Sequence, residues 1–363
     1  MYKAYRFRLY PNDSQRTLIH KTFGCVRFVY NYFLDKCKKN GYIKAYDMCK
    51  ELKKLQEEYL FLKEVDSFSN FFAKRSGYPC FKNKFSKQSY RTNCIRRSNK
   101  SSNYSNIAIF KKNSQIKLPK LGLVNIKGYR NLESINGKII NATIERECTG
   151  KYYVSVVVEE TEIVKSKKIP TSIVGIDLGV KDLVITSEGK KYFNPKELLK
   201  REKQLKRLQR KISRKVKGSK NYAKTKIRIA RVHSKIRNSR KHNIINIVND
   251  IVKNNDIIVS ENLNVKGMSK NHNLAKSIID ASFNMICNML KWKTTIQGKY
   301  YYQVDTFYPS SKTCSRCGNK TNITNNLSVR KWTCENCGNE NDRDINASIN
   351  IMFEGLKIHY KTI

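Results

Sequence analysis

Ile173-Val174-Gly175-Ile176-Asp177-Leu178-Gly179-Val180-Lys181-Asp182-Leu183-Val184-Ile185-Thr186 is the stretch on which the reading of the C-terminal half turns. A short apolar run ending on an acid, turning at Leu178-Gly179 and resuming at Leu183, is the pattern of a strand buried on both faces and its return. A second such strand, Asp256-Ile257-Ile258-Val259-Ser260, delivers Glu261 at its end, 84 residues after Asp177. Asp344 stands 83 residues further on, where the last helix opens; that helix is predicted from about Asn346 towards Phe353. Each acid alone has an ordinary explanation: Asp177 shapes a turn, Glu261 caps the next helix, and Asp342 or Asp344 caps the last one. Together they suggest more, because strand ends and a packed helix start converge at one edge of an α/β sheet. Three crowded carboxylates repel unless divalent cations neutralise them, so a two-Mg²⁺ site for phosphodiester hydrolysis is expected at Asp177, Glu261 and Asp344.

The chain between these strands is strongly cationic. Residues 196–241 hold 20 Lys or Arg against Glu197 and Glu202, a net +18 over 46 residues. Leu198, Leu205, Leu208, Ile212 and Val216 keep helical spacing, Gly218-Ser219 breaks it, and a second helix resumes through Ile227, Ala230 and Ile236. This predicts a helical hairpin with one apolar stripe. Such a charge run often means only a solvated face, but its density favours phosphate contact, with Arg207, Arg210, Lys211 and Arg214 as candidates. The whole chain is as one-sided: its 363 residues carry 73 Lys+Arg and 29 Asp+Glu, a formal charge of +44. That balance excludes an ordinary metabolic enzyme and points to nucleic acid as the neutralising partner. No apolar run approaches the roughly 18 residues that span a bilayer, and Met1 to Tyr10 lacks a signal peptide's apolar segment. A cytoplasmic, nucleoid-associated prokaryotic protein is expected.

The 11 cysteines divide unevenly. Cys25, Cys37, Cys49, Cys80, Cys94, Cys148 and Cys287 are isolated, and an odd total without a secretory signal argues for reduced thiols. Cys314-x2-Cys317, sixteen intervening residues, and Cys334-x2-Cys337 form two knuckles, each followed at once by a glycine, Gly318 or Gly338. Four thiolates at this spacing suit one tetrahedral, structural Zn²⁺; disulfides or an iron cluster fit the compartment or the ribbon-like spacing less well.

In the N-terminal half, Tyr5, Phe7 and Leu9 alternate with basic residues before Pro11, the period of a half-buried strand. Helices are predicted from about Asp13 to Phe72, with Asp13 or Ser14 as N-cap, followed by an irregular basic and aromatic segment from Gly77 to Ser101. Further β segments fall at Gln115 to Lys127 and Ala142 to Glu160, the second folded at Thr149-Gly150. The partners of the first strand lie beyond the helices, which implies a small β-barrel with a helical insertion. A polar linker at Lys165 to Pro170 closes this half. Beyond Glu261, a helix from about Ala281 to Gln297 and a strand from Tyr300 to Tyr308 lead into the cysteine module.

Gly175-Ile176-Asp177-Leu178-Gly179-Val180-Lys181-Asp182-Leu183, Glu261-Asn262-Leu263-Asn264-Val265-Lys266-Gly267-Met268, Pro309-Ser310-Ser311-Lys312-Thr313-Cys314 and Asp342-Arg343-Asp344-Ile345-Asn346-Ala347 resemble the RuvC motifs and zinc ribbon of the TnpB (OrfB) family, transposon-encoded relatives of type V CRISPR effectors. The likeness runs from about Ser172 to Ile351. It implies an α/β RNase H-like (RuvC) nuclease domain at 171–308 and 341–363 with a four-cysteine zinc ribbon inserted at 309–340. It also implies a wedge-type β-barrel at 1–11 and 102–165 carrying a helical recognition insertion at 12–101. Asp177 and Glu261 correspond to the first two catalytic acids. Asp344 is the third, two residues before the Asn of Asp-x-Asn-Ala, with Asp342 in reserve; Lys312 and Arg343 are candidates for phosphate or carboxylate contact.

The implied activity is Mg²⁺-dependent cleavage of double-stranded DNA, guided by an RNA from the transposon end. Phe7-Arg8-Leu9-Tyr10-Pro11, Val29-Tyr30-Asn31-Tyr32 and Gly77-Tyr78-Pro79-Cys80-Phe81-Lys82 resemble N-terminal landmarks of the family, but the insertion is short where Val65-Asp66-Ser67 passes almost directly to Asn70-Phe71-Phe72. Two other functions stay open. A cleavage-inactive RNA-guided repressor or remnant is favoured by the short insertion, and a strand-transferring transposase would share an RNase H-like core. No His-x-His pair occurs among His20, His233, His242, His272 and His359, so tyrosine-relay transposition chemistry is not encoded here.

Overall fold

A computed structural model describes residues 2–65, 81–82, 88–93, 96–99, 102–128, 132, 135–160, 169–326 and 328–362. The chain forms two units, Met1–Ile163 and Val164–Ile363. In the first, β1 (Tyr2–Tyr10) turns Tyr5, Phe7 and Leu9 inward, as its alternation predicts. Helix α1 (Asp13–Asn40) is capped by Asn12 rather than by Asp13 or Ser14: Asn12 Oδ1 accepts from Gln15 N at 2.8 Å, and Gln15 Oε1 accepts from Asn12 N at 3.1 Å. This reciprocal box satisfies two end groups at once. Cys25, Val29, Phe33 and Cys37 fall at four-residue intervals and pack against Met48, Leu52 and Leu55 of α2 (Ala45–Glu58).

The strands that follow are β2 (Gln88–Asn93), β3 (Arg96–Asn99), β4 (Ser102–Ser105), β5 (Ala108–Phe110), β6 (Gln115–Leu118), β7 (Gly122–Lys127), β8 (Lys138–Arg146) and β9 (Tyr152–Glu159). Strands β3 and β4 pair with each other; the rest join β1 in one sheet, β2-β8-β9-β1-β7-β6-β5. β1 lies between β9 and β7, so its partners do follow the helices in sequence. Where a barrel was expected, the described strands form a seven-stranded antiparallel sheet with one core that α1 helps to fill with Ile19, Phe23 and Val26. Its described ladders end at β2 and β5, and Asn106 Nδ2 donates to Asn93 O at 3.0 Å between those ends. β2 falls in the segment from Gly77 to Ser101 that the sequence suggests is irregular, and there the structure has a strand instead. Tyr90 and Thr92 are buried there between polar neighbours, an alternation too polar to stand out in the sequence. Gln115 to Lys127, read as one segment, is a hairpin. Of the short passage at the end of the insertion, residues 66–72 lie outside the described residues, as do Gly77 to Cys80.

The second unit opens with β10 (Ile173–Asp177), β11 (Asp182–Thr186) and β12 (Lys191–Phe193). The cationic hairpin follows as α3 (Glu197–Ser213) and α4 (Lys220–Asn254), the latter capped by Ser219. Leu205, Val232 and Ile236 form its buried seam, backed by Leu198, Leu208 and Ile229. Val216, assigned to that stripe from its spacing, lies between the helices and is 79% exposed. Then come β13 (Ile257–Ser260), α5 (Val265–Met268), α6 (His272–Ala281), α7 (Phe283–Gln297), β14 (Tyr300–Gln303), the cysteine segment with β15 (Lys331–Thr333) and β16 (Glu340–Asp342), and α8 (Arg343–Thr362).

The central sheet runs β12-β11-β10-β13-β14. β10 to β12 are antiparallel neighbours, while β13 and β14 run parallel to β10. Val174, Ile176 and Ile258 pack on Ile244, Val248 and Val252 of α4 and on Ile286 and Leu290 of α7. Val259 and Ile257 face the other way, towards Ile351 of α8. Both faces of β10 and β13 are therefore covered, which explains their unbroken apolar sequences.

Candidate active site

β10 and β13 run parallel with Ile176 opposite Ser260, so the next residues, Asp177 and Glu261, leave the same sheet edge side by side. Adjacent strands lie about 4.8 Å apart, and the two carboxyls come close enough for the Asp177 side chain to act on the pKa of Glu261. Ser310 Oγ donates to Glu261 Oε1 at 2.8 Å. Burial pushes the Asp177 carboxyl well above the usual carboxylate range, and the charges of Glu261 and Asp344 push it the same way. The Leu178 N–H and the Arg343 guanidinium pull back without reversing the shift. Burial raises Glu261 as well, offset in part by its hydrogen bonds to Ser310 and Asp177. Such a pair shares its protons, and a cation placed between the carboxylates would relieve both costs.

Asp344 reaches this edge because α8 lies directly on the sheet. A Cβ at Gly175 would stand 2.0 Å from Ser348 O, and one at Gly355 would stand 2.2 Å from Val259 Cγ2. Only a residue without a Cβ permits that approach. Asp344 sits in the first turn of α8, within electrostatic reach of Asp177. Its two oxygens accept from Arg330 Nη1 at 3.0 and 3.1 Å. Asp342, the reserve, is committed elsewhere: its Oδ1 accepts from the N–H groups of Asp344 (3.1 Å) and Ile345 (3.2 Å), and Lys191 Nζ donates to its Oδ2 at 2.7 Å. The helix-cap explanation thus holds for Asp342 and not for Glu261, since Asn264 caps the following helix. The structure brings Asp177 and Glu261 together, with Asp344 within electrostatic reach and paired to Arg330. Hard carboxylate oxygens gathered at one sheet edge, with the Asp177 and Glu261 carboxyls raised chiefly by burial, are a donor set that fits Mg²⁺.

The four cysteines converge more tightly. Among the described residues, they are the group of metal-ligating side chains whose ligand atoms all lie within 4.8 Å of one another. Cys314 and Cys337 sulfurs are 3.8 Å apart, and those of Cys317 and Cys334 are 3.6 Å apart. A tetrahedral Zn²⁺ with bonds of about 2.3 Å needs sulfur separations of about 3.8 Å, which these two pairs match. The knuckles repeat each other: Gly318 N donates to Cys314 O and Gly338 N to Cys334 O, each at 2.9 Å, with φ of +76° and +65° at the glycines. Backbone N–H from Asn319 and the Asn336 side chain bring the Cys317 thiol down to about 6, while Cys337, despite the Asn339 N–H, is pushed up to about 12 by burial and the three neighbouring sulfurs.

Of the basic candidates, Arg207, Arg210, Lys211 and Arg214 line one broad, open concavity on α3 with Lys203 and Lys206. Arg343 donates to Asn326 O at 3.1 Å and lies near enough to Asp177 to lower its pKa. Lys312 is exposed beside the first knuckle. Sequence reasoning assigned no part to Arg330 or Ser310, the side chains that contact Asp344 and Glu261. Ser310 was legible as part of Pro309-Ser310-Ser311; Arg330 had no signal beyond its place before the second knuckle.

Residues 154–272 match the family described as "Probable transposase" (OrfB_IS605), and residues 283–351 match the "Cas12f1-like, TNB domain". Residues 1–42 match a "Helix-turn-helix domain", although here they form β1 and the single helix α1. A Streptomyces pristinaespiralis protein named "Putative RNA-guided DNA endonuclease" is 34% identical over 98% of this chain and 89% of its own length. The Escherichia coli K12 protein named "Putative RNA-guided DNA endonuclease InsQ" is 30% identical over 97% of this chain and 92% of its own length. The fold is shared with the protein of a "Cas12f1-sgRNA-target DNA complex", at a TM-score of 0.58 and 16% identity, covering 97% of this chain and 98% of that one. The motifs around Asp177, Glu261 and the four cysteines and these full-length likenesses agree: the chain belongs to the TnpB (OrfB) family.

Proposed function

We propose that this chain is an RNA-guided, Mg²⁺-dependent endonuclease of double-stranded DNA, encoded by a transposable element. The observation that carries the proposal is the half-buried Asp177–Glu261 pair at the ends of adjacent parallel strands, with Asp344 within its field. The sheet order, three antiparallel strands beside two parallel ones, supports an RNase H-like (RuvC) domain, and the seven-stranded antiparallel N-terminal sheet supports a wedge domain. Asp177, Glu261 and Asp344 would hold the divalent ions. Held by these carboxylates, two Mg²⁺ would supply an activated water and stabilise charge on the leaving 3′-oxygen. The chain's own part is positional: β10 and β13 fix two carboxylates, α8 carries the third, and Ser310 orients Glu261. The cations of α3, a formal charge of +44, and Lys312 would bind phosphates, while the guide RNA supplies sequence discrimination by base pairing. Cys314, Cys317, Cys334 and Cys337 would hold a structural Zn²⁺.

A second reading, guided DNA binding without cleavage, is favoured by the Arg330 contact to Asp344. One experiment separates the two. The RNA that co-purifies with the protein is sequenced, and duplexes matched or mismatched to it are offered in Mg²⁺. Cutting of the matched duplex alone, leaving 3′-hydroxyl ends, supports the nuclease; matched binding without cutting supports the repressor; no guide-dependent binding refutes both.

A further inference from the structure

The carboxylates and the cysteines form separate clusters, yet one short segment touches both. Ser310 is buried, and its hydroxyl donates to Glu261 Oε1 at 2.8 Å. Its carbonyl accepts from Asn350 Nδ2 at 2.8 Å, and the same amide reaches Thr313 O at 2.6 Å. One helical turn earlier, Asn346 Nδ2 donates to Thr313 O at 2.7 Å, while Asn346 Oδ1 accepts from Ser315 N at 2.8 Å. Thr313 and Ser315 flank Cys314, the first thiolate of the knuckle. Asn346 stands two residues after Asp344 on α8. Residues 310–315 are therefore bonded on one side to Glu261, on the other to the helix that carries Asp344, and in the middle contain a cysteine.

The cost of this arrangement argues for its purpose. Asn346 and Asn350 are only 2% and 5% exposed, and two buried amides stabilise a helix contact less than two apolar side chains would. They are tolerated because each is matched to a backbone group, and a fully matched buried network specifies one geometry. Partners of this kind, one step removed from a metal, set the orientation of the ligands that hold it.

We propose that Ser310, seated by Asn350 and Asn346, is a positioning residue that makes the placement of the Glu261 carboxylate depend on the zinc-binding knuckle. The inference rests on the reading that Asp177, Glu261 and Asp344 hold divalent metal. Zinc in the thiolate site keeps residues 310–315 in place, the hydroxyl of Ser310 keeps Glu261 in place, and the spacing of the acids follows.

The test uses the full chain loaded with zinc, and Mn²⁺ as the probe of the carboxylates, followed by electron paramagnetic resonance. Ser310→Ala is expected to weaken Mn²⁺ binding by about 10- to 100-fold, with zinc content and melting temperature unchanged. Ser310→Thr, which retains the hydroxyl, is expected to restore it. Asn350→Ala is expected to weaken Mn²⁺ binding in the same direction while still retaining zinc. Wild-type Mn²⁺ affinity in Ser310→Ala, or failure of Ser310→Thr to recover it, overturns the proposal. Asp177→Ala supplies the separate control: if it leaves Mn²⁺ binding intact, the metal reading of the carboxylates is wrong, whatever Ser310 does.

Discussion

Replacing Asp177 with Asn should stabilise the metal-free protein. Its carboxyl is raised by burial and by the neighbouring Glu261 and Asp344. A carboxyl whose folded-state pKa lies above its unfolded value, near 4, opposes folding once the pH exceeds that unfolded value. The opposition grows until the folded pKa is passed and stays constant above it. The metal-free wild type should therefore gain stability as the pH falls through this window, whereas Asp177→Asn carries the neutral form at every pH. Relieving a strained site of this kind is worth about 0.5–2 kcal/mol. The second unit spans Val164–Ile363, and in a domain of that size each kcal/mol moves the melting temperature by about 2–4 °C. A rise of about 1–8 °C is expected in EDTA-treated, zinc-retaining protein at neutral pH, read by calorimetry. Mg²⁺ at about a hundred times its dissociation constant should then stabilise the wild type by about 2.7 kcal/mol and leave Asp177→Asn nearly unmoved. A melting temperature that falls on substitution, together with a preserved Mg²⁺ response, would refute the argument that Asp177 is a repelled metal ligand.

Other perturbations probe the remaining parts. Gly175→Ala forces a Cβ against the Ser348 carbonyl, backbone that cannot swing aside; it should cost about 1–3 kcal/mol and weaken Mn²⁺ binding by lifting α8, both measurable on one preparation. The triple substitution of Arg207, Arg210 and Arg214 by Gln should flatten the dependence of log affinity on log salt by roughly 0.7–0.9 for each phosphate that is no longer neutralised, without changing the melting temperature. Metal analysis should return one zinc per chain, and its removal by a strong chelator should lower the melting temperature; Cys334→Ser should do the same.

The parts legible in the sequence share a physical cause. β10 and β13 are covered on both faces, so Val174, Ile176, Ile258 and Val259 had to be apolar in unbroken runs, and the acids that end those runs stood out. The cysteine spacing was equally plain, because a tetrahedral ion demands ligands in close pairs. What stayed hidden depended on partners distant in sequence. β2 has a polar sequence and becomes a strand because β8 pairs with it; Val216 kept a helical interval but lies outside both helices, where no partner covers it. Asn12 outranked Asp13 and Ser14 as a cap through a reciprocal bond to Gln15 that spacing alone left undecided. Arg330 and Ser310 reach Asp344 and Glu261 only because the cysteine segment folds back onto the sheet edge, 14 and 49 residues away along the chain.

The central claim is that Asp177, Glu261 and Asp344 act together on bound divalent metal to cut DNA. Its most direct measurement compares cleavage of a guide-matched duplex, in Mg²⁺ and after chelation, by the wild type and by Asp177→Ala, Glu261→Ala and Asp344→Ala, each purified with its RNA and zinc. Loss of cutting in all three variants and in the chelated wild type, with matched binding retained, is the predicted result. Wild-type cleavage by any one of the three would contradict it.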